Sequence, residues 1–225
     1  MLALLALPAA AQTVRPLINE LGNPAHGRVE YFNDANVPLN VVVDVRSFTV
    51  SERGELSYAP LDPGVHIKLS ATSFRVGPKQ SYYLFYEATS DHAPAWFVIY
   101  ANFSGFGLRT ANGMNVRLQL PHTVYLLPKG GLEKADVRIN RAEYDPASKK
   151  LLVEAENLGS SFGRVEESWL SAGRKKQEGS GFPIFPHSKR IMEYSWQGEG
   201  SPSRVELQFE RFHLDRDTSQ SGGSR

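Results

Sequence analysis

Met114, Val116, Leu118 and Leu120 alternate with Asn115, Arg117 and Gln119. A period of two sends successive side chains to opposite faces, which is the signature of a β-strand with one apolar and one polar face. Pro121 follows at once. A proline has no N–H to give to a ladder, so it favours a sheet edge over a central position. An edge strand with a row of large apolar side chains invites another chain to pair with it, and natural sequences usually blunt such an edge. Left open, this stretch offers itself to a partner strand. Closed, its four apolar residues fill a sandwich core.

The same period runs through most of the chain. Val29 and Tyr31 alternate with Arg28 and Glu30, and Leu39, Val41, Val43 and Val45 share one face of a longer run. Tyr82, Leu84 and Tyr86 share a face, and Trp96 to Tyr100 is continuously apolar, as in a buried strand. A second series begins beyond Pro128-Lys129-Gly130-Gly131: Val137 and Ile139, Leu151 and Val153, Val165 to Leu170, Ile191 to Trp196, then Val205, Leu207 and Phe209. Arg174 to Ser180 is charged and reads as a loop. No apolar stripe with helical spacing interrupts these runs. Short strands set apart by turn signals predict an all-β fold of two β-sandwich domains. The divisions expected are an N-terminal domain over 12–128, a linker over 129–132, a C-terminal domain over 133–214 and a disordered tail over 215–225. The three tryptophans, Trp96, Trp169 and Trp196, are expected in the cores.

Residues 1–11 read as the remnant of a secretory signal peptide. Leu2 to Leu7 is apolar, Pro8 breaks the run, and Ala9, Ala10 and Ala11 offer the small side chains of a cleavage site. The run is too short to span a bilayer, and no later segment is apolar enough to be inserted as a helix. With no cysteine in 225 residues, an exported chain of this size must hold together by its cores, without disulfides. A formal net charge of +1 gives no electrostatic reason to expect nucleic acid as a partner.

Chemistry-bearing constellations are not found in the sequence. The histidines His26, His66, His92, His122, His187 and His213 are scattered without metal-ligand spacing, so neither a metal nor another cofactor is expected. There is no nucleophile elbow, P-loop or dinucleotide fingerprint. His187 and Ser188 are neighbours in sequence and would point to opposite faces of a strand, so they form no dyad. Asn102-Phe103-Ser104 matches a glycosylation acceptor, a weak three-residue signal. No catalytic residue is assigned.

The order of these features resembles the periplasmic pilus-assembly chaperones of the chaperone–usher pathway, the PapD-like family. The resemblance covers almost the whole mature chain. It is carried by Val14-Arg15-Pro16, by Val29 to Asn33 as a strand closing on asparagine, and by Pro38 before an alternating valine strand. It continues through Phe74 to Gln80, Val116 to Pro128, Leu151 to Asn157 and Phe182-Pro183-Ile184-Phe185-Pro186. The resemblance implies two Ig-like sandwiches in an L or boomerang arrangement and a non-enzymatic role in fimbrium biogenesis. It further implies a periplasmic location, pilin or fimbrial subunits as clients and an outer-membrane usher as recipient. Met114, Val116, Leu118 and Leu120 fall on the family's alternating donor residues, which complete a subunit lacking one strand of its own sandwich. This is strand addition, for which chaperone–pilin pairs are a standing example. The same edge would also suit a self-capped dimer.

Three positions depart from the family pattern. The family holds a subunit's C-terminal carboxylate with one cation on the first strand and one late on the donor strand. Here the matching positions are Leu17 and Thr123, with Arg15 the nearest cation to the first. Arg15 and Thr123 are therefore the carboxylate-anchor candidates. Leu127 stands where the family has an arginine of its interdomain salt bridge. The alternative reading is a secreted two-domain Ig-like adhesion or structural module made of complete sandwiches, in which Met114 to Leu120 is buried with no free edge. A third, a lectin or carbohydrate-active enzyme, would need two carboxylates converging beside an exposed tryptophan.

Overall fold

The computed structural model describes residues 12–105 and 118–220. The donor positions Met114 and Val116, Arg117 and the signal-like residues 1–11 lie outside them. Nearly all the regular structure is β. Contacts gather the described residues up to Phe48, with Tyr58–Leu127, into one compact unit. The segment Thr49–Ser57 groups with the chain from Pro128 onward in a second.

In the first unit the strands are β1 (Thr13–Arg15), β2 (Ile18–Gly22), β3 (Ala25–Phe32), β4 (Leu39–Val50), β5 (Leu56–Pro60), β6 (Val65–Leu69), β7 (Ser73–Val76), β8 (Ser81–Ser90), β9 (Ala95–Ser104) and β10 (Leu118–Leu127). They form two sheets, β1-β3-β8-β6 and β2-β10-β9-β4-β5, with β7 paired to β4. The period of two decides which residues meet between the sheets. Val29 and Tyr31 of β3, Leu84 and Tyr86 of β8, Leu39 and Val41 of β4, Ile99 and Phe103 of β9 and Val124 and Leu126 of β10 form the buried core. Asn33 follows β3 directly and is fully buried. Its Nδ2 donates to the carbonyls of Val37, Val76 and Gly77, while its Oδ1 accepts from the Ala35 N–H. One side chain thus satisfies the backbone of two crossing loops, which explains why the strand closes on asparagine.

The second unit holds β11 (Val137–Asp145), β12 (Lys150–Asn157), β13 (Gly163–Ala172), β14 (Lys175–Gly179), β15 (Phe182–Ile184), β16 (Ser188–Ser195), β17 (Arg204–Phe209), β18 (His213–Asp217) and β19 (Ser219–Gln220). Its sheets are β16-β12-β11-β19 and β14-β13-β17-β18, with β15 paired to β13. Asn157 repeats the part of Asn33: buried at a strand end, it donates to Ser161 O and accepts from the Gly159 N–H. Phe182 and Ile184 of the phenylalanine–proline segment enter the core beside Leu151, Val153 and Leu207.

Four expectations from the sequence need correction. Arg174 to Ser180 is not a loop: β14 pairs antiparallel with β13 from Ala172↔Lys175 to Ser168↔Gly179. As an edge strand it is wet on one side and needs no apolar alternation; Lys176 instead lies over the Trp169 ring at 4.4 Å. The tail does not begin at 215, because β18 and β19 continue regular structure to Gln220 and pair with β17 and β11. Leu132, assigned to the linker, is buried in the second core. Of the three tryptophans only Trp196 is a core residue. Trp96 is half-buried and donates Nε1–H to Phe48 O at 2.7 Å, and Trp169 is half-buried under Lys176.

Candidate functional site

β10 is paired along its whole length on one side and only in part on the other. Against β9 the antiparallel register runs from Leu118↔Phe103 to Leu126↔Ala95. Against β2 the parallel register begins at Thr123↔Ile18 and ends at Leu127↔Gly22. Among the described residues, 118–122 therefore have a neighbour strand on the β9 side alone. The direction of the backbone groups follows from one bond: the Thr123 N–H points to β2, donating to Leu17 O at 2.8 Å. Backbone groups alternate along a strand, so Gln119 and Pro121 also face the β2 side. The open length presents the N–H and carbonyl of Gln119 and the carbonyl of Pro121.

Leu118 and Leu120 are half-buried on the inner face, packed against the core of their own sandwich. Gln119 and Pro121 are exposed on the outer face, where Gln119 Nε2 donates to Asn102 Oδ1. That contact, with Asn102 Nδ2 on Val42 O, occupies the side chain of the glycosylation motif. The leucines thus combine both expectations in one place. Their own backbone groups pair with β9, the outward groups belong to Gln119 and Pro121 between and beside them, and their side chains already touch a core.

The anchor candidates lie in different sheets. Arg15 is in β1, in register with Glu30, on the outer face of the sheet whose inner face carries Val14. Thr123 is in the other sheet, half-buried on the side opposite His122 and Val124. Leu17 and Ile18, at the point where the chain passes from β1 to β2, are exposed by 59% and 44%.

The residue that the sequence reading passed over is His122. It is fully buried at the boundary between the open and paired halves of β10. Its Nδ1 lies 2.8 Å from Pro16 O and its Nε2 3.1 Å from the Tyr86 hydroxyl, which also receives Asn19 Nδ2 at 2.9 Å. A carbonyl can only accept, so Nδ1 carries the proton. Nε2 then accepts from Tyr86 O–H, whose oxygen accepts from Asn19. Burial holds the His122 pKa below the ordinary histidine value, opposed in part by the bond to Pro16. The ring is neutral, with both nitrogens engaged. As one of six scattered histidines it gave no sequence signal; its partners stand 106 and 36 residues away.

No protein-family model matches the chain, and no curated protein sequence does. Solved structures do. The class 5 fimbriae chaperone CfaA matches with a TM-score of 0.58 at 11% identity, over 93% of this chain and 99% of that one. The YadV chaperone matches with a TM-score of 0.58 at 12% identity, over 92% and 98%. A chain in the complex of the Salmonella enterica SafA pilin with the SafB chaperone matches with a TM-score of 0.61 at 12% identity, over 94% and 98%. The chain has the two-domain β-sandwich fold of the fimbrial chaperones.

Proposed function

We propose that this protein is a non-enzymatic chaperone of the periplasm that caps an incomplete β-sandwich subunit by donating the strand that runs into β10. The observation that carries the reading is the half-paired state of β10: among the described residues no strand lies on the β2 side of 118–122, the stretch that holds Leu118 and Leu120. Main-chain hydrogen bonds from such an edge extend a client's sheet, and alternate apolar side chains fill the groove its missing strand leaves. Met114 and Val116 continue the alternation in sequence and complete the donor set. The fold supports the reading. One structure with this fold is a pilin–chaperone complex, and another is a chaperone–tip adhesion subunit pre-assembly complex. On this reading the clients are pilin-type subunits, the recipient is an outer-membrane usher, and the signal-like residues 1–11 serve export.

The test is recovery of tagged mature protein from the periplasm, wild type beside Leu118→Arg, with mass spectrometry of whatever is retained. A small Ig-like subunit held by the wild type and lost from the variant is the expected outcome. Identical partners for both would place binding elsewhere. Nothing retained by either would favour the complete-sandwich module, in which Leu118 and Leu120 serve only their own core.

A further inference from the structure

We propose that His122 is a positioning residue that fixes where β2 leaves β10, and so sets the length of β10 left open to a partner strand. The functional part of this rests on the donor-strand reading; the structural part does not. In the parallel ladder the donors of β10 toward β2 fall on every second residue. Thr123 uses its N–H on Leu17 O. The next donor toward the start of the strand would be residue 121, a proline with no N–H to give. At this rung the β10 backbone therefore has no donor for the chain before Leu17, and the next N–H on that side is a full repeat away at Gln119.

A side chain takes over at that point. His122 Nδ1–H bonds the carbonyl of Pro16, the residue at which the chain passes from β1 to β2. The other face of the ring is fixed through Tyr86 to Asn19 of β2. Pro16 and Asn19 flank the Leu17–Ile18 step, so one buried imidazole grips the crossing on both sides. Held there, the crossing stays off Gln119 and Pro121, and among the described residues no strand pairs with their outward backbone groups. A buried histidine that loses its acceptor or donor leaves unpaired polar atoms behind, so the arrangement resists loosening.

The experiment measures site-resolved amide exchange by NMR on the purified mature protein at pH 7, with periplasmic recovery of clients run in parallel. His122→Asn keeps a donor near the Nδ1 position; His122→Gln does not, and His122→Leu keeps bulk alone. Thr123 should exchange roughly tenfold faster or more in the Leu and Gln variants, with Val29 and Leu84 in the β3–β8 pairing unchanged and the Asn variant close to wild type. Wild-type exchange at Thr123 in both Leu and Gln variants would overturn the pin. Uniformly faster exchange at all three amides in both would overturn it too, by making His122 a general core residue. A loosened Thr123 with undiminished client recovery would overturn its link to strand donation alone. A wild type that recovers no client would count against the donor-strand reading and leave the exchange data to judge the pin.

Discussion

Gly27 of β3 is placed so that a Cβ on it would stand 2.2 Å from Cζ of Tyr86. The missing side chain is the space in which the tyrosine ring crosses the sandwich to reach His122. Gly27 falls between Ala25 and Val29, both core residues, in a strand otherwise patterned for inward apolar side chains. A glycine inside a strand costs conformational entropy, and close approach of another group is what justifies it. Gly27→Ala should therefore displace Tyr86 and cost about 1–3 kcal/mol, the usual range for overpacking a core. Urea unfolding of wild type and variant measures this, and a loss under about 0.5 kcal/mol would show that the ring moves aside freely.

The same network gives stability a sign with pH. His122 is held below the ordinary value of 6.5, chiefly by burial. Well above 6.5 neither the folded nor the unfolded chain protonates it, and its contribution is complete. As the pH falls below 6.5 the unfolded chain takes up the proton first, so stability declines until the folded-state value is passed. The slope is at most about 1.4 kcal/mol per pH unit. The physical reason is burial, which disfavours the charged ring more than the bond to Pro16 O favours it. Denaturation midpoints between pH 7.5 and 5 should fall in the wild type, and fall less in His122→Asn. Equal slopes would assign the dependence to other groups.

Asn33 and Asn157 should be the most costly polar positions to truncate. Each is fully buried at a strand end and bonds the backbone of the following loop. Asn33→Ala takes a bond from the carbonyls of Val37, Val76 and Gly77, of which Gly77 keeps the Gln80 N–H, and from the Ala35 N–H; Asn157→Ala abandons one carbonyl and one N–H. With roughly 1–3 kcal/mol for each group left buried and unpaired, both losses should exceed about 2 kcal/mol, and that of Asn33 should be the larger. Thermal unfolding of the two variants gives the order directly.

Much of the fold was legible because period-two alternation reports burial on one face, and most strands here have one wet face and one dry. Leu39 to Val45, Val29 to Tyr31 and Val205 to Phe209 needed nothing more. β14 was not legible, since an edge strand has no burial to record in its sequence and its charges look like those of a loop. The short strands at the C-terminus escaped for a related reason: His213 to Gln220 is held by backbone pairing and by polar bonds to distant residues. The open length of β10 was half legible. Pro121 marked an edge, but where β2 begins depends on Pro16, Asn19 and Tyr86, which no local pattern joins to His122.

The C-terminal strands supply a last prediction. β18 pairs with β17 from Gln208↔His213 to Arg204↔Asp217, and β19 runs parallel to β11 at Glu143 and Tyr144. Arg216 donates to Ile139 O and Thr218 to Pro202 O, and the Arg204–Asp215 ion pair spans the β17–β18 pairing. Leu214 packs on the second core from the same strand. A chain ending at Leu214 loses all of these bonds except the first rungs of β18, and it leaves β17 with a bare edge over a buried core. A chain ending at Gln220 keeps every one. The Leu214 chain should lose several kcal/mol, enough to lower its melting temperature by about 10 °C or more relative to the Gln220 chain. Equal melting temperatures for the two would mean that β18 and β19 add no net stability, and that the second sandwich is complete at β17.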